Sequence, residues 1–188
     1  MTDDERLRWR VSWWRVVVPW PLFFRRVLGR ARQVNVLQLV REIHLSYTLA
    51  LLVFGLVLAY IVEPESDPPL FPLVLSGVAL LMAVGGARWL TRKPWPDDAP
   101  PEVLASIYRT TYFLHAAFAM SIALWGFVDV FITGWLWPYL AGGTVAFVWL
   151  WLIGPTSTNI SRLDRKLREA NPAASLVEGL TAPPDASA

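Results

Sequence analysis

The 188-residue sequence has no cysteine, two histidines and only two lysines, and charged residues make up 17% of it. Without cysteine, disulfides, thiolate metal sites and cysteine nucleophiles are excluded. A soluble domain carries about a quarter charged residues, so the shortage is real, and it is unevenly spread. No Asp, Glu, Lys or Arg occurs from Ile43 to Val62, Leu70 to Ala87, Thr110 to Val128 or Val130 to Ser161. A bilayer core takes about 20 mostly apolar residues per helix. Four spanning segments follow: Ile43–Val62, Leu70–Ala87, Thr110–Thr133 and Leu136–Ile153. The expected fold class is therefore all-α, a polytopic membrane protein with four transmembrane helices.

What charge there is has a direction. Nine of the 17 basic residues precede the first segment, four lie between the second and third, and four follow the last. None falls in "EPESDPP" after the first segment or "GWLWP" after the third. Basic loops stay on the cytoplasmic side, so both termini are expected inside, in a cell membrane. Eleven acidic residues share those inner segments, which leaves about six net positive charges there. Such a face suits anionic lipid headgroups, each basic residue near them being worth about 1 kcal/mol. Nucleic-acid binding is not expected, because the N-terminal arginines alternate with tryptophans beside a membrane segment. No cleavable signal is read, and the first segment is expected to serve as its own uncleaved signal.

Five regions result. Residues 1–42 form an Arg/Trp-rich segment in which "RLRWRVSWWRVVVPWPLFFRRVLGRARQV" is too broken by Pro19 and Pro21 to span. It reads as an amphipathic interfacial segment, with Trp9, Trp13, Trp14 and Trp20 at the headgroup boundary, or as a docking arm for a larger complex. Residues 43–87 are a first hairpin, 88–109 a Pro-rich connector and 110–153 a second hairpin. Residues 154–188 comprise a short polar helix and an Ala/Pro/Ser-rich tail expected to be disordered.

The two hairpins repeat. A shift of 71 residues lays Phe54-Gly55-Leu56-Val57 on Trp125-Gly126-Phe127-Val128, and His44 on His115. A shift of 66 brings Phe71-Pro72 onto Trp137-Pro138 and Gly77 onto Gly143. Both units enter from the same side, so the repeat is parallel, about an axis along the membrane normal. In the third segment His115, Ala119, Ile122, Gly126, Asp129 and Thr133 fall on one helical stripe. Its counterpart in the first segment is His44, Thr48, Leu51, Gly55, Leu58 and Val62. Small residues on such stripes let helices approach closely in lipid, making Gly55, Gly77, Gly126 and Gly143 candidate packing positions and setting the first segment against the third.

Three candidate sites remain. His44 and His115, on separate helices, could hold one haem b iron from both sides or contact a quinone. Asp129, about 11 Å beyond the middle of its segment, is an acidic side chain within hydrocarbon, where insertion costs up to about 3 kcal/mol. It is read either as a group in a proton or ion path or as a hydrogen-bonded lock, with Tyr60, Thr133 or another subunit as partner. The duplicated hairpins resemble, in layout, the proteolipid subunits of rotary ATPases, which place an acidic residue in the outgoing helix, whereas Asp129 is in an incoming one. The layout is also similar to small four-helix cytochromes b, of which those with two haems need four histidines. The expected function is a non-enzymatic accessory or scaffold subunit of a membrane complex, or a homo-oligomer. The alternatives are a haem- or quinone-binding redox subunit and an ion translocator.

Overall fold

In the computed structural model the described residues are 7, 35–62, 74, 77, 78, 81, 84–86, 88, 95, 96 and 99–182. Of the segment 1–42, residues 1–6 and 8–34 lie outside them, while 36–42 open the first long helix; the loop at 63–73 and residues 183–188 also lie outside. Every regular element among the described residues is a helix: α1 (Val36–Ile61), α2 (Pro101–Thr133), α3 (Trp137–Ile153), α4 (Ser157–Ala170) and α5 (Leu176–Thr181). The described residues of the second apolar segment, among them Val74, Gly77, Val78, Leu81 and Val84, are helical as well.

Helix α1 opens where Asn35 Oδ1 accepts the Gln38 amide at 2.9 Å, satisfying one of the four N–H groups that a helix start leaves unbonded. Its 26 residues reach about 39 Å. Helix α2 starts at Pro101, an N-terminal position where proline loses nothing. It runs 33 residues, nine residues ahead of the apolar segment that begins at Thr110. It stops at Gly134, whose φ of 69° is the left-handed conformation glycine adopts freely. The Gly134 amide closes the last turn on Val130 O at 2.8 Å. Helix α3 ends at Ile153, ahead of Gly154-Pro155, and Thr156 Oγ1 caps α4 by accepting the Asn159 amide at 3.2 Å. Helices α1 and α2 are long and apolar enough to cross a membrane. A third crossing is counted if α3 and α4 form one broken span.

The chain divides into two compact units. The first comprises Met1–Ser46, Pro94–Tyr112 and Gly154–Ala188. Its core joins Leu7 to Leu37, Leu104, Ile160, Leu167, Leu176 and Leu180 from both long helices, α4 and α5. Ile160, Asp164 and Leu167 form the buried face of α4, while Arg162, Arg165 and Lys166 stay exposed. The tail expected to be disordered is folded as far as residue 182. Leu176, Val177 and Leu180 give α5 an apolar face that its Ala/Pro/Ser surroundings obscure, and Gly179 allows it to lie directly on Pro101 O.

The second unit comprises Tyr47–Lys93 and Phe113–Ile153, and among its described residues the charged side chains are Arg88 and Asp129. Helices α2 and α3 touch backbone to backbone within it. A Cβ on Gly126 would lie 2.5 Å from Pro138 O, and one on Gly142 would lie 2.9 Å from Ile122 O.

Candidate functional site

All six members of the α2 stripe, from His115 to Thr133, are buried. The α1 stripe is mixed, with Leu51 and Leu58 buried and the other four members half-covered. The neighbour of Gly55 differs from the expected one. A Cβ there would stand 3.2 Å from the ring of Tyr139 on α3 rather than against α2. The reason is a hydrogen bond: Tyr139 spans the gap above Gly55, and its hydroxyl donates to Leu51 O. Helix α1 meets α2 through Phe54 and Phe127, with ring centroids 5.3 Å apart. Around Gly143 the contacts are ordinary, the Tyr139 ring being 3.5 Å from a built Cβ, and no described atom lies within 4 Å of one at Gly77.

Asp129 is 1% exposed. Thr133 lies beside it as expected, but its hydroxyl donates to the Asp129 main-chain oxygen, at 2.8 Å, not to the carboxylate. The same hydroxyl accepts the Trp135 amide at 3.1 Å and so stitches the α2–α3 turn. Tyr60, the other candidate partner within the chain, is 92% exposed.

The two histidines belong to different units and have unlike surroundings. In the first unit, His44 Nδ1 is 2.9 Å from the Tyr112 hydroxyl. In the second, His115 is buried beside Trp149, with ring centroids 6.5 Å apart. Its Nδ1 is wholly covered and makes no hydrogen bond among the described residues. Imidazole carries a donor and an acceptor in its neutral form, and an unsatisfied buried group costs about 1–3 kcal/mol. His115 also lines a groove of about 480 Å³, together with Arg88, Val145, Val148, Trp149 and Leu152. A second groove, about 520 Å³, runs between α1 and α3 past Leu52, Gly55, Tyr139, Gly143 and Phe147.

The first unit holds polar groups whose role the sequence did not disclose. Arg41, counted above among the cationic residues of the inner face, is 3% exposed. Its Nη2 donates to Leu7 O at 2.7 Å and its Nε to Pro155 O at 3.2 Å. A buried guanidinium needs such acceptors, so this arginine is committed to the protein, not to a headgroup. Beside it, buried Glu42 accepts from Gln38 Nε2 at 3.1 Å. Asp164 Oδ1 accepts the amides of Leu176 at 2.6 Å and Val177 at 3.2 Å, and Oδ2 pairs with Arg168 Nε at 2.7 Å. These contacts tie α5 to α4. Among the described residues, no three His, Asp or Glu side chains are grouped to hold a metal ion.

No protein-family model, curated protein or solved structure matches this chain.

Proposed function

We propose that the chain is a non-enzymatic multi-pass protein of the cell membrane, an accessory or scaffold subunit that works in a larger assembly or a homo-oligomer. In this reading four segments cross as two parallel hairpins, and both termini are cytoplasmic. The observation that carries it is how little of α1 its own chain covers. In the most apolar 18-residue window of α1, 11% of residues are buried, against 44% for α2. Leu52, Leu56, Tyr60 and Ile61 all face outward from it. A tyrosine 92% exposed on an apolar helix leaves a hydroxyl to be satisfied at the membrane interface or by a partner. The α2–α3 pair, by contrast, is locked by glycines at backbone distance.

The test is purification in a mild detergent, with mass determination of the protein–detergent complex and identification of co-purifying chains. An oligomer or a stoichiometric partner is expected, and substituting Tyr60 and Leu56 together by alanine should weaken it. A stable monomer with no partner would overturn the proposal.

A further inference from the structure

Helix α4 carries its free charge on one side. Ile160, Asp164 and Leu167 are buried in the first unit, and at 3.6 residues per turn their directions fall within about 60° of one another. Arg162, Arg165 and Lys166 lie opposite, across an arc of about 100°, and all three are exposed. Glu169 shares that arc, so three positive charges less one negative leave it net positive. Arg168 stands outside the arc and is engaged by Asp164 Oδ2 at 2.7 Å and Ser175 Oγ at 3.2 Å. Arg162, Arg165 and Lys166 make no hydrogen bond or ion pair among the described residues.

Covalent reach limits where this face can stand. Helix α3 ends at Ile153 and α4 begins at Ser157. Four residues extend at most about 14 Å, so the first turn of α4 is held near the end of α3. With both termini cytoplasmic, that end of α3 is at the inner boundary of the bilayer. The apolar side of α4 is already used by the core of the first unit, which leaves the basic side to meet its surroundings. Arg41 shows the other use of a cation in this unit, buried with Leu7 O and Pro155 O as its acceptors.

We propose that the face formed by Arg162, Arg165 and Lys166 rests on the inner leaflet and is held there by anionic lipid headgroups. This contact depends on the membrane reading above and adds a specific surface to it. Basic residues clustered just past the cytoplasmic end of a spanning helix attract acidic headgroups, each contributing roughly fivefold in affinity. An interfacial helix of the usual kind buries its apolar face in lipid. Helix α4 has none to offer, since Ile160 and Leu167 face the protein. Its attachment is therefore electrostatic alone, and salt should screen it.

The experiment uses the full chain, which has no cysteine, carrying the single substitution Thr158→Cys. Thr158 is exposed, on the basic side of α4. A bimane attached there, in reconstituted vesicles, is quenched by a headgroup nitroxide when this face lies on the bilayer. Quenching is expected where a quarter of the phosphatidylcholine is replaced by phosphatidylglycerol. It should fall back to the level of pure phosphatidylcholine at about 1 M salt, where the screening length is about 3 Å. R162Q, R165Q and K166Q together should shift the equilibrium toward the unquenched state on the order of 100-fold. E169Q should strengthen the quenching, a change that a merely solvated face would not produce. All four positions are exposed, so these variants should keep the fold. Equal quenching in the two lipid mixtures, or an unaltered response in the triple variant, would overturn the proposal. So would a label shielded only when an acidic protein co-purifies. Alkaline washing of membranes tests the membrane reading separately. A chain that stays in the pellet while its quenching ignores lipid charge loses only this contact, and one released by the wash loses both.

Discussion

At Gly126 a methyl group would lie 2.5 Å from the carbonyl oxygen of Pro138 and 3.0 Å from two neighbouring backbone atoms. Backbone cannot swing aside as a side chain can, so the helices must separate. Gly126→Ala should therefore destabilise the folded protein by about 1–3 kcal/mol, the cost of overpacking. Gly77→Ala, with no described atom within 4 Å of the new methyl, should be neutral or gain up to about 1 kcal/mol from helix propensity. Thermal unfolding of both variants in one detergent compares them directly, and an equal loss in the two would refute the assignment. The sequence singled out both glycines on the same ground, a repeat register. It could show that Gly126 lies on a stripe of small and polar residues. It could not show which helix that stripe meets, because periodicity reports a face and not a neighbour. Gly142, also close to backbone, sits beside Gly143, and nothing in the pattern distinguishes the two. Tyr139 was invisible for a related reason. Its register partner Leu73 has no hydroxyl, so the repeat gave no cue to the bond it makes with Leu51 O.

Among the elements, α5 is the least expected and depends on one side chain. Six residues cannot hold a helix by themselves, yet Leu176, Val177 and Leu180 are buried in the first unit. Asp164 on α4 accepts two of the amides at the start of α5, and Ser175 Oγ accepts a third, from Glu178, at 3.3 Å. Asp164→Ala strands the two buried amides, a loss of about 2 kcal/mol or more of local stability. Arg168, whose side chain is 42% exposed, adds little to that figure because solvent screens it. Asp164→Asn keeps an acceptor oxygen and should lose less. Amide hydrogen exchange at residues 176–181 is the measurement, with rapid exchange expected in the alanine variant and unchanged protection outside the first unit. Protection retained in that variant would mean that packing alone holds α5. Composition misjudged this stretch because alanine, proline and serine dominate it, and a six-residue helix shows too few turns for periodicity. The boundary at Gly154-Pro155 and the cap at Thr156 were legible, since a helix breaker followed by hydroxyl residues is a local signal. The extension of α2 back to Pro101 was not. Its extra turns are stabilised by Leu104 and Ala105 in the core of the first unit, and that is a tertiary cause.

For the whole molecule, the number of crossings is the testable consequence of its charge pattern. Two helices, or three with the bent pair, meet the requirements of length and apolarity, whereas the arginine distribution calls for four crossings. The positions that decide it are in loops, and the absence of native cysteine makes each reachable by a single substitution. Ser66→Cys and Thr91→Cys flank the Leu70–Ala87 segment, and Ser187→Cys marks the C-terminal tail. A membrane-impermeant maleimide applied to intact cells should label Ser66→Cys alone, and the other two only after permeabilisation. The physical basis is the placement of all 17 basic residues outside the two proposed outer loops, since translocating an arginine-rich loop is disfavoured. If Ser66→Cys and Thr91→Cys label alike, Leu70–Ala87 does not cross, and the parallel repeat falls with it. If Ser187→Cys labels in intact cells, α3 does not return the chain, and the basic α4 lies outside. The α3 helix is the sterner test. Its 17 residues reach about 25 Å, short of a hydrocarbon core near 30 Å. A crossing there requires the bilayer to thin locally or α3 to pack within an assembly, and the second of these is what the proposed subunit role supplies.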